Sequence, residues 1–490
     1  MQRNERSFMM IIKDEFLRAA IARTLNIKEE EITEESMLSL TRLSARSADI
    51  VSLEGLEYAT NLQYLDLCGN NIEDLNPIKD LREIECLNLS KNMLRDIQAL
   101  RGYRQLIRLD LSRNNLYTMD ISAIAGMINL EELNLERSKV DNLVYLENAK
   151  KLHVLYIGIE NGPFPFSILG TLPQLKELHM NKMWLYDVAD LNYLKNIEVL
   201  DLSTNLFSDL SPLQYMKQTL RKLNLTNNQY LKDCSMLEEF PNLEVLELSF
   251  NYLDDFSFLK KLKNLKDLRL IQCGFNDLRL LKGLNKLEKL DISENRVEHT
   301  EVLREMRNLK YFKASCCYID NIDFLRNAKE LVEVNVFNNN IKDISVLSGC
   351  NKMTTLDVGN NDVQDITCLE DMTNLECLCL SYNNISDITP LSHLHNLSTV
   401  DLYNNVITNI EPLRDLVHIT SLRLDHNGVY DLTPLENMED LGSLTLKANY
   451  VTDLTPLVNL KNLYQLRLDD NPIEDITMLE DLEYYDKFSY

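Results

Sequence analysis

The chain has 490 residues, of which 45% are hydrophobic and 26% charged, an ordinary balance for a folded polypeptide. Its 76 acidic residues outnumber 51 basic ones, for a net charge of −25. That balance excludes a general nucleic-acid binder, whose phosphate contacts need a basic surface, and a protein docked on an anionic bilayer.

At the N-terminus, "MQRNERSFMMIIKDEF" offers only five consecutive apolar residues, Phe8 to Ile12. A secretory leader core needs roughly 7–15 of them, and a membrane helix about 20. The expectation is a cytoplasmic chain without a membrane segment, or a secreted or surface one whose leader has been removed. The ten cysteines follow no fixed framework and read as free thiols. Residues 14–27, "DEFLRAAIARTLNI", predict an amphipathic helix with Phe16, Leu17, Ala20, Ile21 and Leu25 on its apolar face. A second short helix is expected in "ITEESMLSL", capped by Thr33. Together these make a helical N-terminal cap over residues 1–39.

From Leu40 one pattern repeats about twenty times, to residue 482. "LQYLDLCGNNIEDLNPIKDLRE" (62–83), "LECLCLSYNNISDITPLSHLHN" (375–396) and "LGSLTLKANYVTDLTPLVNLKN" (441–462) align without a gap. With the first leucine as position 1, apolar residues fall at 1, 4, 6, 11, 14, 17 and 20. Positions 4 and 6 share one face of a short strand, which leaves 3 and 5 on the other. The spacing of three over 14, 17 and 20 suits a 3₁₀ turn. Proline at 16 (Pro77, Pro212, Pro390, Pro412, Pro434 and Pro456) is expected at the first helical position, with Thr389, Thr433 and Thr455 as caps. Asparagine at 9 (Asn70, Asn92, Asn251, Asn295, Asn339, Asn383, Asn405) is expected to satisfy buried backbone as a stacked ladder, with Cys273 and Cys317 standing in for it. Aspartate at 13, from Asp74 to Asp475, invites a calcium reading. One carboxylate per repeat supplies too few ligands, so these residues are expected to bond local N–H groups.

This is the leucine-rich-repeat signature. The predicted fold class is α/β: a curved leucine-rich-repeat solenoid, with a parallel β-sheet on the concave side, short 3₁₀ or loop segments on the convex side and the helical cap. Repeats of irregular length begin at Leu106 (24 residues), and at Leu152, Ile197 and Leu220 (23 each). The repeat at Leu152 contains "GIENGPFPFS", where Pro163 and Pro165 interrupt the pattern. These are read either as insertions on the convex side or as changes of curvature that shape a cleft. Residues 483–490, with Tyr484, Tyr485, Phe488 and Tyr490, are expected to form a short aromatic C-terminal cap.

The segment "FLRAAIARTLNIKEEEITEESMLSLTRLSARSADIVSLEGLEYATNLQYLDLCGNNI" (16–72) resembles the cap and first repeats of bacterial internalin-type proteins. The later 22-residue repeats are similar to that family over almost the whole chain. A regulatory subunit of protein phosphatase 1 shares the repeat class. The resemblance implies a scaffold that binds proteins on its concave side. The chain carries no match to the leader, immunoglobulin-like domain or wall anchor of the secreted members.

The expected function is therefore non-enzymatic binding of a protein or peptide partner by a monomeric scaffold. Two alternatives are a regulatory subunit that controls a phosphatase or other enzyme, and an internalin-like surface adhesin. No nucleophile elbow, phosphate loop or zinc-protease motif is present, and no catalytic residue or cofactor is assigned. Partner-binding candidates are the ring-bearing residues at strand-flank positions: Tyr156, Phe250, Tyr311, Phe337, Tyr382, Tyr403 and His426. Basic Arg423, Lys447 and Arg467 gather on the last strands, and acidic Glu244, Glu247, Glu288 and Asp291 lie mid-array. Trp184, at position 10, either packs at the edge or serves the partner. Cys377, Cys379, His393 and His395 look like a zinc set, but their register places buried Leu394 and the core between the two pairs, so no metal is expected there.

Overall fold

The computed structural model describes residues 12–114, 118–140, 142–158, 166–480, 482 and 489. They fall into two compact units, Met1–Leu243 and Glu244–Tyr490. The expected aromatic cap (Tyr484, Tyr485, Phe488, Tyr490) lies outside the described residues, as do Pro163 and Pro165.

The first unit opens with helix α1 (Glu15–Leu25), whose N-cap Asp14 accepts from the Leu17 N–H at 3.0 Å. Leu17, Ala20, Ile21 and Ala22 form the buried face. Two expected members differ: Phe16 is 46% exposed and Leu25 only half-buried, because the face turns toward Ala22. Helix α2 (Glu34–Leu38) carries the expected Thr33 cap, reciprocated by Ser36, whose Oγ accepts from the Thr33 N–H.

Three-residue strands then recur once per repeat. Nine run from Arg42–Ser44 to Lys222–Asn224 in the first unit, and eleven from Val245–Glu247 to Gln465–Arg467 in the second. Within each unit every strand pairs in parallel with the next in sequence, in a register that superposes the repeats: Leu268 faces Leu290, which faces Phe312. The strands occupy positions 3 to 5, and the central residue is buried each time. Parallel sheets normally have both faces covered. Here the residues flanking each central one stay half-exposed or exposed in most strands, so one face is open.

The buried asparagines explain how a chain can turn inside a core. Asn383 accepts from the Val363 N–H at 2.9 Å and donates to the carbonyls of Val358 and Leu380 at 3.0 and 3.1 Å. Asn405 repeats this one repeat on, so the Leu380 carbonyl receives two amides. Cys317 donates its thiol to the Ile292 carbonyl, in the place of that amide, and Cys273 donates to Leu270. A second asparagine row stands at position 22: Asn396 donates to the Thr373 carbonyl and Asn374 to that of Asn351. The return segments are 3₁₀ turns, but two details differ from expectation. Proline is the second residue, as in Thr389–Leu391, and the threonines do not cap. Asp387, Asp431 and Asp453 accept the N–H of Thr389, Thr433 and Thr455 instead, each at 2.9 Å. Aspartate is the better acceptor for that orphan donor because it is charged.

The extra residue of the repeat at Ile197 sits in its return segment, between buried Met216 and Leu220. That of the repeat at Leu220 follows Asn228, before buried Leu231. The insertions at 115–117 and 159–165 are outside the described residues.

Candidate functional site

The open face is built from positions 3, 5, 7 and 8. Position 5 has a structural duty in half of the repeats. Wherever it is Asp or Asn, its Oδ1 accepts the N–H two residues on, within the same repeat. This holds for Asp66, Asn88, Asp110, Asn134, Asp201 and Asn224 in the first unit. It holds for Asp291, Asn335, Asp357 and Asp401 in the second. The bond closes the turn out of the strand, as an Asx turn does. Where position 5 departs from Asp or Asn, the side chain is released for other work. Apart from Ser44, Lys313 and Cys379, which stand singly, the departures cluster at Tyr156 and His179, at Glu247 and Arg269, and at Arg423, Thr445 and Arg467.

Each cluster holds one or more of the expected residues. Tyr156 stacks on His179 with ring centroids 4.3 Å apart and 12° between planes. Burial pushes the Tyr156 hydroxyl above its usual range. His179 faces Asp201 at 4.0 Å; against its burial, that neighbour and the Ser203 N–H, at 2.8 Å, hold the carboxyl low. In the second unit Tyr311 carries the Lys289 ammonium over its ring at 4.8 Å. They line a groove of about 330 Å³ with Arg269, which reaches Glu247 at 3.2 Å and Asp267 at 3.3 Å. Lys313 and Glu333, 2.7 Å apart, complete the wall.

Tyr382, Tyr403 and His426 form a continuous ridge. The two tyrosine rings lie 4.8 Å apart, and the His426 ring meets Tyr403 edge-on at 5.3 Å. The Arg423 guanidinium sits over the Tyr403 ring at 5.2 Å. Phe337 is half-buried; a Cβ on Gly359 would come within 3.1 Å of its ring, so that glycine makes its room. Phe250 is 40% exposed and stands apart from the ridge. Trp184 is 66% exposed, so it does not pack at the edge; Tyr186 beside it is equally open to solvent.

Position 8 has a feature the sequence conceals. Phe250, Tyr382 and His426 all have positive φ, as do Lys91, Arg113, Gln272, Glu294 and Ala448 at the same place. Non-glycine residues there cost about 1 kcal/mol each. The N–H of each is fixed to a carbonyl of the following repeat: Tyr382 to Tyr403 and His426 to Lys447, both at 2.7 Å, and Phe250 to Ile271 at 2.8 Å.

The acidic row at position 13 makes local bonds. Asp343 accepts from the Ser345 N–H at 2.7 Å and Asp365 from that of Thr367 at 2.8 Å. Among the described residues no group of three or more His, Cys, Asp or Glu is arranged to hold a metal ion. Cys377 and Cys379 lie half-exposed on their strand, whereas His393 and His395 are exposed on the return segment on either side of buried Leu394. Burial pushes the Cys379 thiol up to about 11, far from a nucleophilic thiolate at neutral pH. All ten cysteines are free thiols. Among the described residues no helix is long and apolar enough to cross a membrane.

A profile of leucine-rich repeats in two copies matches residues 60–102, 218–261, 329–371 and 373–415. No curated protein sequence matches the chain. Among solved structures, an internalin (InlF) from Listeria monocytogenes is 24% identical, covering 88% of this chain and 94% of its own, with a TM-score of 0.36. The plant peptide hormone receptor RGFR1, solved in complex with RGF2, is 21% identical over 90% of this chain and 79% of its own, with a TM-score of 0.57. TLR13 in complex with ssRNA13 is 16% identical over 91% and 90%, with a TM-score of 0.50. The profile match, the superposed three-residue strands and the asparagine row agree: the chain is a leucine-rich-repeat protein.

Proposed function

We propose that the chain is a non-enzymatic scaffold that captures a protein or peptide on the open face of its sheet. The observation that carries this reading is the ridge of Tyr382, Tyr403 and His426, with Arg423 on its flank. Rigid aromatic rings and arginine dominate binding hot spots because they bury much area at little entropic cost. Tyr382 is 46% exposed, which leaves its ring area available to a partner. The likeness to a plant peptide hormone receptor, solved in complex with RGF2, supports the same use of the fold.

The test is affinity capture from the source lysate with the purified chain as bait. Phe337→Ala, Tyr382→Ala and Tyr403→Ala combined should abolish capture and leave the circular dichroism spectrum unchanged. Undiminished capture by the folded triple variant removes the assignment to these rings.

A further inference from the structure

We propose that the groove over Ser443 and Thr445 takes an acidic peptide segment, with its carboxylates seated on Arg423 and Arg467. The proposal rests on the protein-binding reading above and names the chemistry of the partner. The groove encloses about 520 Å³, within the roughly 300–1,000 Å³ of ligand-sized clefts. Its floor is low because Ser443 and Thr445 are small and lie between long side chains on the flanking strands. Its walls carry Arg423, Lys447 and Arg467, three cations together in a chain of net charge −25.

Each guanidinium is oriented but unsaturated. Arg423 gives Nη1 to Asp401 at 2.7 Å, and Arg467 gives Nε to Asp469 at 3.1 Å. Neither carboxylate lines the groove. The remaining N–H groups of both arginines have no protein acceptor among the described residues. The one acid in the groove, Asp425, is 3% exposed and turned to the Thr445 hydroxyl and the Lys447 N–H. A pre-oriented guanidinium with free donors matches a carboxylate, and little side-chain freedom is left to lose on binding. Tyr403 closes one end with an apolar wall. By contrast, the groove at Tyr311 carries counter-ions in its own lining, Asp267, Asp291 and Glu333, whereas the partners of Arg423, Lys447 and Arg467 (Asp401, Asp470 and Asp469) lie outside theirs.

The probe is a fluorescein-labelled decapeptide of alternating Glu and Ala, with a twin carrying Gln for Glu, followed by fluorescence anisotropy on the full chain. General attraction of an acidic peptide to so acidic a protein is absent, so binding by the acidic twin reports the groove. The acidic peptide should bind at least about tenfold more tightly than its twin, and Arg423→Gln and Arg467→Gln should each weaken it roughly tenfold. Arg414→Gln, paired with Glu411 on a return segment, should change nothing. Equal binding of the twins, or acidic-peptide binding indifferent to both groove substitutions, overturns the proposal. If the twins bind equally while the aromatic triple variant loses lysate capture, only the acidic-peptide inference fails. If the arginines govern peptide binding while the triple variant keeps capture, the aromatic reading fails and the groove stands.

Discussion

Two carboxylates of the second unit, Asp343 at position 13 and Asp357 at position 5, make the same bond with opposite electrostatic results. At position 13, Asp343 accepts the N–H two residues on in an exposed turn; that N–H and the Ser345 hydroxyl hold its carboxyl below the usual range. At position 5, Asp357 accepts the Gly359 N–H in the same way, at 3.0 Å. There burial outweighs the bond and, with the neighbouring Asp401 charge, pushes the carboxyl above its usual range. One hydrogen bond cannot offset the desolvation of a charge, whereas at the surface it needs to offset almost nothing. The row at position 13 recurs in nearly every repeat, whereas at position 5 the neighbours decide: Asp357, buried beside Asp401, is pushed up, and Asp201, equally buried but beside His179, is held low.

The largest test of that contrast is acid. Asp255, Asp343, Asp387 and Asp431 all have depressed values in the folded state. Their contribution is whole above the unfolded value of about 4 and is lost as pH falls through the folded values. The urea midpoint should stay nearly level from about pH 7 to 5 and drop steeply below about pH 4; a level profile to pH 3 breaks the argument. The next largest effect belongs to the buried row between the two. Asn383→Ala leaves the Val363 N–H without an acceptor and removes the amide's bonds to the Val358, Leu380 and Ser381 carbonyls, which should cost about 2–4 kcal/mol in urea unfolding. Asp343→Ala should cost about 1 kcal/mol, the usual loss for a capping side chain. Smallest is Asp357→Asn: it keeps an acceptor and removes the buried charge, as Asn335 already does one strand earlier. Its midpoint at pH 7 should stay level or rise by no more than about 1 kcal/mol. A loss larger than that of Asp343→Ala would show that the buried charge is favourable and reverse the comparison.

The fold was legible because its causes are periodic. Leucine at 4, asparagine at 9 and aspartate at 13 recur in the chain, and each does one physical job in the structure. Capping is misread from the sequence because Thr389 stands where a cap belongs by residue type, while Asp387, two residues earlier, shows only a general capacity for local bonds. The site was harder to read. Position 5 looked like free variation, since Asp and Asn at an exposed strand position give no sign of the turn they close. Its departures, Tyr156, His179, Arg269, Arg423 and Arg467, could have been found by asking which repeats lack Asp or Asn there. Tyr382 and Tyr403 are legible as ring-bearing positions beside the strand, but the contact of Tyr403 with His426 depends on side-chain geometry across repeats that no single repeat encodes. Phe16 was misplaced because helical periodicity fixes an apolar arc, not which edge of that arc meets the sheet.

The left-handed backbone at position 8 has a consequence for how such a surface diversifies. In most loops that conformation selects glycine, and so limits what the loop can display. Here the neighbouring repeat imposes it through one short hydrogen bond, and Phe250, Gln272, Glu294, Tyr382, His426 and Ala448 all adopt it. Backbone shape and side-chain identity are uncoupled at the rim of the open face. A lineage can rewrite that column residue by residue without renegotiating the fold at any step.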